Sequence, residues 1–379
     1  MRQILLPRNP RAACQPPNMS LMSDPSAAAT QESGAHPADG AAPDDAVCTQ
    51  LLEGVSRTFA LTIPQLPAVL APVVANAYLL CRIQDTIEDE PTLDVASKRL
   101  LCAHFAAVLG GQSDPISLRD ALLPRLSDRT SPAERKLAQE LPRVIGQLRR
   151  FSALQKQAIT LCVTRMGEGM AEFQQHASAS GLEDQAAMDR YCYFVAGVVG
   201  EMLTVLFCDY SAGIARNKEL LMRLSVSFGQ GLQMTNILKD LWEDLGRGAC
   251  WLPRTVFTGH GFDLDQLRGA QHDPAFQRGL LQLLALAHGH LSNALRYTLL
   301  IPARETGIRN FCLWAILMAL LTLRRIQARP QFESAAEVKI SRSAVRAVIA
   351  SSRLSARFDA LTELLFQYAS RGLPAPRLT

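Results

Sequence analysis

Asp85 and Asp89 stand four residues apart in Asp85-Thr86-Ile87-Glu88-Asp89-Glu90. Asp240 and Asp244 repeat that spacing 155 residues later in Asp240-Leu241-Trp242-Glu243-Asp244. Residues four apart share a helix face, so each pair presents two carboxylates side by side. Both clusters follow apolar runs, at 73–80 and 228–238, which sets them in otherwise buried helix. Two such pairs facing each other across a cavity could hold several Mg²⁺ ions. Magnesium takes a few carboxylates together with phosphate oxygens of a substrate. The chemistry suggested is that of a diphosphate.

The neighbouring residues extend each pair into a stripe. Tyr78, Arg82, Asp85 and Asp89 fall at offsets 0, 4, 7 and 11, while Leu79, Leu80, Cys81, Ile83 and Ile87 occupy other faces. The plainer alternative is a solvated face on which Arg82 pairs with Asp85 and Asp89. The apolar remainder weakens it, because a helix apolar around most of its surface is buried. Gln233, Asn236, Asp240 and Asp244 form a second stripe at offsets 0, 3, 7 and 11. Here Asn236 adds a neutral oxygen to two charged ones, a donor set suited to a hard cation. Glu88 and Glu243 are expected to point away into solvent.

Two more segments offer chemistry. Ser56-Arg57-Thr58-Phe59 supplies a guanidinium and two hydroxyls for phosphate oxygens, or simply a helix cap. The run from Tyr191 to Gly200 has small residues at 196, 197 and 200. They allow close helix approach or make room for a long apolar ligand.

The elements carrying these residues read as helix throughout. Residues 1–44 contain seven of the 21 prolines and are expected to form a disordered leader, with Met19 or Met22 as possible starts. From about Asp45 apolar residues recur at three- and four-residue spacing. Breaks are expected near 64–67, 110–111, 128–132, 178–181, 213, 246–253, 302–307 and 330. No strand alternation and no solenoid repeat is present. The expectation is an all-α domain of roughly ten helices over 45–345. One or two amphipathic helices, including 358–366, should follow in 346–379, with a frayed end from 374.

Composition bounds the rest. Apolar residues make up 48% and aromatics 6%, an aliphatic, helix-favouring core. The net charge of +4 comes without basic runs interleaved by aromatics, so no nucleic acid is expected as partner. Nine cysteines lack metal-ligand spacing, and Cys81, Cys162, Cys192 and Cys312 read as buried free thiols of a reducing compartment. His288 and His290 read as two surface histidines, and no zinc site is supported. The longest apolar window, 311–323, is too short to span a bilayer and reads as a core helix. A cytoplasmic protein is expected, resting on a membrane at most.

Ser56-Arg-Thr-Phe59, Asp85-Thr-Ile-Glu-Asp89, Tyr191-Cys-Tyr-Phe-Val-Ala-Gly197 and Asn236-Ile-Leu-Lys-Asp-Leu-Trp-Glu-Asp244 resemble, in order and spacing, the motifs of squalene and phytoene synthases. The resemblance covers roughly 48–345. The first aspartate motif and Arg309-Asn310-Phe311-Cys312 look more like the squalene branch. The resemblance implies the all-α isoprenoid synthase fold around a central cavity. It implies joining two farnesyl diphosphates head to head through presqualene diphosphate, then reduction by NADPH to squalene. Asp85, Asp89, Asn236, Asp240 and Asp244 would bind Mg²⁺. Ser56, Arg57, Tyr78, Arg82, Gln233 and Lys239 would hold diphosphate oxygens. Tyr191 matches the proton-handling tyrosine, Phe59 and Phe311 could face the carbocations, and Arg247 and Lys339 would serve NADPH. Departures include Lys239 for an arginine, a displaced Arg247, a partial basic segment at 339–342, and Ala315 for a proline. Relatives that release presqualene diphosphate, dehydrosqualene or phytoene stay open. So does a non-catalytic assembly factor of the same fold, though such proteins tend to lose the aspartates retained here. A monomer or weak homo-oligomer is expected, with any membrane contact peripheral, through an amphipathic helix.

Overall fold

Proline and glycine place most helix boundaries. Asp89 ends its helix because Glu90 precedes Pro91 and is driven into extended backbone, at φ −67° and ψ 112°. Ser131 starts another with a capping box closed by Glu134. Gly111, Gly181, Gly248 and Gly372 take positive φ where the chain turns. The computed structural model describes residues 43–378, apart from 57, 177 and 178. The expected leader therefore lies almost wholly outside the described residues, as does Arg57.

Among the described residues nineteen segments are α-helical, ten of them eleven residues or longer. The short ones are stubs between breaks, as at Ala212–Ala215, which follows the extended Ser211. The only sheet-like pairing among the described residues is an isolated bridge between Leu182 and Pro253. The fold is all-α.

Two apolar clusters form the core. One surrounds the helix Ala71–Asp89, and the other joins the helices Pro274–Leu300 and Thr306–Ala328. Phe228, on the helix Lys218–Lys239, packs against both. That helix lies along Pro274–Leu300, its most extensive partner, and also against the segment 193–210. Here the glycines matter. A Cβ on Gly229 would sit 2.3 Å from the Ala196 carbonyl oxygen, and one on Gly200 would sit 2.3 Å from that of Ser225. Two backbones therefore touch where the sequence placed its small residues.

Three expectations are corrected. His288 and His290 are buried, at 7% and 8% exposure, because their helix is covered on both flanks. His290 Nδ1 lies 2.8 Å from Ser227 Oγ, while His288 Nδ1 lies 2.8 Å from the Pro374 carbonyl. The end from 374 is not frayed: Arg377 N–H donates to Ala285 O at 3.0 Å, and the chain lies across Gly289. Finally, two helical stretches, Gln185–Tyr210 and Thr306–Ala328, are long and apolar enough to cross a membrane. The second is mostly buried in the core, and the first turns Val195, Ala196, Val199 and Gly200 into the central cavity.

Candidate active site

The helix Ala71–Asp89 carries its aspartates in its last two turns, and no basic residue in the final turn offsets the negative end of the helix dipole. Asn236 lies in the last turn of Lys218–Lys239, and Asp240 follows at its C-cap. The second stripe is not one continuous helix, as the spacing predicts. Asp240 adopts φ −96° and ψ 11°, and a new helix runs Leu241–Gly246. The i to i−4 bonds nevertheless continue through the break, from Asp240 N–H to Asn236 O and from Asp244 N–H to Asp240 O. The stripe keeps its face.

Both stripes line one cavity of about 1060 Å³. Tyr78, Arg82, Asp85 and Asp89 face it from one wall, and Gln233, Asn236, Lys239, Asp240 and Asp244 from another. Tyr191, Phe59, Phe311 and Arg247 also line it. The remaining wall is mostly apolar, with Met166, Leu203, Phe207 and Phe228 among its members.

Electrostatics mark the acidic wall as short of positive charge. Burial, then the nearby Asp89, pushes the Asp85 carboxyl up to about 7, although Arg82 lies 3.5 Å away. Burial likewise raises Asp89 and Asp244 against the pull of nearby arginines. Arg82 is shared with Glu134, which reaches in from the helix Pro132–Gln139. Burial pushes Glu134 up, but hydrogen bonds from Ser131 and the Arg82 charge hold it below the usual carboxylate range. On the opposite wall Lys239 Nζ lies 3.1 Å from Asp240 Oδ2 and 3.5 Å from Asn236 Oδ1. Arg247 pairs with Asp244.

Tyr191 is the penultimate residue of the helix Gln185–Cys192, which runs into a π-helical turn at Tyr193–Gly197. Such turns re-aim side chains and are frequent at functional sites. Its ring stacks on Trp251 at 4.1 Å and meets the edge of Phe173 at 5.4 Å. Burial, then the Cys192 thiol and the carboxylates of Asp89, Asp244 and Asp85, raises its pKa well above the usual phenol value. The phenol therefore stays neutral between the two acidic walls.

Other sequence expectations fare differently. Ser56 does not line the cavity. Its hydroxyl accepts from Phe59 N–H at 3.0 Å and bonds the Tyr78 side chain, so it steadies two cavity residues whose rings lie 4.8 Å apart. Lys339 is exposed and lies outside the cavity wall. Glu88 is buried rather than solvated, because the helix Val95–Leu109 covers that flank. Gln84 donates to it at 2.9 Å, Lys98 donates to its backbone carbonyl, and burial pushes its carboxyl up to about 9. Glu243 is exposed, as expected. Arg309, from the late motif, serves the fold. It is 2% exposed and donates to Ile301 O, Leu299 O, Ala356 O and Asp359 Oδ1.

Sequence reasoning missed Glu134 and Trp251. Glu134 sits 52 residues from Arg82 and reads only as a capping residue. Trp251 stands in a loop pinned by the Leu182 bridge, through Leu182 N–H to Leu252 O and Arg254 N–H to Leu182 O.

Comparison with known proteins agrees with this geometry. The family model for squalene/phytoene synthases matches residues 52–344. A squalene synthase of Eremothecium gossypii is 30% identical over 281 residues, covering 73% of this chain and 60% of that protein. A squalene synthase of Cochliobolus lunatus is 31% identical over 287 residues, covering 74% and 65% respectively. The chain thus spans less than two thirds of the length of these relatives. A solved structure, the complex of TcSQS with ligand BPH1237, shares the fold with a TM-score of 0.67. It is 24% identical, over 87% of this chain and 98% of that one. With the family model covering most of the chain, and both aspartate motifs lining one cavity, the chain belongs to the squalene/phytoene synthase family.

Proposed function

We propose that this chain is a squalene synthase. It joins two farnesyl diphosphates head to head through presqualene diphosphate and reduces that intermediate with NADPH to squalene. The observation that carries the proposal is that both aspartate pairs line one largely apolar cavity.

The carboxylates fit Mg²⁺. They are hard oxygen donors, and burial without enough countercharge raises three of them. No three acidic, imidazole or thiol side chains among the described residues gather closely enough to hold a metal alone. That suits an ion completed by phosphate oxygens and water. Asp85 and Asp89 would hold magnesium on one wall, and Asn236, Asp240 and Asp244 on the other. When bound, the metal stabilises the negative charge of the departing diphosphate.

The protein's own groups do the remaining work. Arg82, Tyr78, Gln233 and Lys239 bind diphosphate oxygens, and Arg57 is proposed to join them. Departure of one diphosphate leaves an allylic cation, which the double bond of the second substrate attacks. The apolar wall excludes the water that would capture this cation. Phe59 and Phe311 offer ring faces to the positive charge. Tyr191, a neutral phenol here, would relay the proton released when the cyclopropane closes, accepting it at oxygen while its own proton passes to an oxygen of the departed diphosphate. In the second stage ionisation of the cyclopropyl intermediate releases the second diphosphate, and the rearranged cation would be quenched by the hydride that NADPH supplies when bound. Arg247, on the cavity wall, would hold a phosphate of that reductant. Lys339 lies outside the cavity and has no part in this scheme.

That position of Lys339 favours one second reading, in which presqualene diphosphate or dehydrosqualene is released unreduced. The proposed unit comprises 45–345 with the tail 346–379. It would act as a monomer or weak homo-oligomer in the cytoplasm, with any membrane contact peripheral.

Asp85→Asn and Asp240→Asn test the metal assignment. Each should lower turnover of farnesyl diphosphate by at least about a hundredfold, since several kcal/mol of leaving-group stabilisation goes with the metal. Circular dichroism should remain that of the parent. Near-parental turnover in either variant would remove that aspartate from the site.

A further inference from the structure

Near the end of the chain lies an apolar face that nothing among the described residues covers. The helix Asp359–Ala369 buries Thr362, Phe366 and Ala369 against the body of the protein. Its opposite side shows Phe358, Leu361, Leu364 and Tyr368, at 58%, 48%, 60% and 67% exposure. Their spacing of three or four residues makes a single stripe. Leu354, at the end of the preceding helix Arg342–Ser355, is 77% exposed. Isolated exposed leucines are ordinary, whereas a continuous stripe of large ones marks a contact surface.

The charges around the stripe are predominantly positive. Residues 342–377 contain six arginines and two acids, Asp359 and Glu363. Asp359 is already paired with the buried Arg309. The segment's surplus of four equals the net charge of the whole chain, so the rest of the sequence is neutral on balance. At one end of the stripe stand the exposed Arg353 and Arg357. At the other, Arg324, Arg325 and Arg371 line a pocket of about 530 Å³ with Ser341 and Leu321. Arg324 donates to the Tyr368 carbonyl at 3.4 Å, which fixes that pocket to the end of the stripe. The pocket shares no lining residue with the central cavity.

An apolar helix face flanked by arginines is the arrangement that lies in the interface of an anionic bilayer. The apolar side chains enter the acyl boundary, and the arginines take lipid phosphates. Two copies docking face to face would bring their arginines together. A soluble phosphate ligand would leave the stripe unexplained. We propose that the face formed by Leu354, Phe358, Leu361, Leu364 and Tyr368, with the pocket of Arg324, Arg325 and Arg371, docks this protein on membranes containing anionic lipid. The proposal deepens the peripheral-membrane reading and rests on it, but not on the catalytic scheme.

The test is co-sedimentation of the full chain with phosphatidylcholine vesicles, with and without phosphatidylglycerol, at low and high salt. The parent should bind the anionic vesicles, and salt should weaken the binding. Leu361→Glu with Leu364→Glu should reduce binding at least about tenfold. Arg371→Gln should reduce it about fivefold and flatten the salt dependence. All these positions are on the surface, so circular dichroism should not change. Parental binding by the double leucine variant would overturn the assignment of this face while leaving the peripheral reading intact. Failure of the parent to bind any vesicle would end both. A concentration-dependent dimer in sedimentation velocity, lost in the double leucine variant, would instead give the face to a second copy and overturn the proposal.

Discussion

A few side chains decide what the cavity can do, and Tyr191 is the most constrained of them. It is buried, stacked on Trp251 and surrounded by carboxylates that hold its proton in place. Tyr191→Phe keeps the stacking and removes only the hydroxyl. It should therefore slow formation of presqualene diphosphate by about a hundredfold or more while leaving KM for farnesyl diphosphate nearly unchanged. Single-turnover assays separate the two, and an unchanged first stage would take Tyr191 out of the mechanism. Most residues of this scale were legible in the sequence, because a polar stripe inside apolar helix has few other uses. Glu134 was not, since its partner Arg82 belongs to a different element. Nor was the burial of Glu88, which depends on a helix that begins at Val95.

Elements position these side chains through close contacts that leave little slack. Gly229 lets the helix Lys218–Lys239 touch the π turn that follows Tyr191. Gly229→Ala should destabilise the protein by about 1–3 kcal/mol through overpacking. It should also lower activity, because the wall carrying Asn236 and Asp240 shifts against Tyr191. Urea unfolding and turnover check the two effects together. The neighbouring helix supplies a pH prediction. Burial lowers His290 from 6.5 to about 4, so it stays neutral in the folded protein while the unfolded chain takes up a proton below 6.5. This contribution is present above pH 6.5 and is lost as pH falls towards 4, up to about 3 kcal/mol. His290→Gln should flatten that fall in unfolding experiments at pH 7 and pH 5. An identical slope in the variant would mean that His290 is not the titrating group. The helices and most of their breaks were readable from periodicity, proline and glycine. The kink at Asp240, the π turn and the burial of His288 and His290 were not, because tertiary packing sets them.

At the scale of the whole molecule, the chain closes an apolar cavity between two clusters of core residues and lines it with two acidic stripes from distant parts of the sequence. The C-terminal segment completes the body: Arg309 ties it to two helix ends, and its last residues lie along the helix Pro274–Leu300. The sequence marked this segment as amphipathic but not as docked, since the side chains that grip it, among them His288, Arg309, Trp314 and Gln327, belong to distant helices. The central claim is that this cavity condenses two farnesyl diphosphates and reduces the product. Its most direct test is incubation of the purified chain with farnesyl diphosphate and Mg²⁺, with and without NADPH, followed by mass spectrometry of the products. Squalene formed only when NADPH is present is the predicted result; farnesyl diphosphate left unconsumed under both conditions would contradict it.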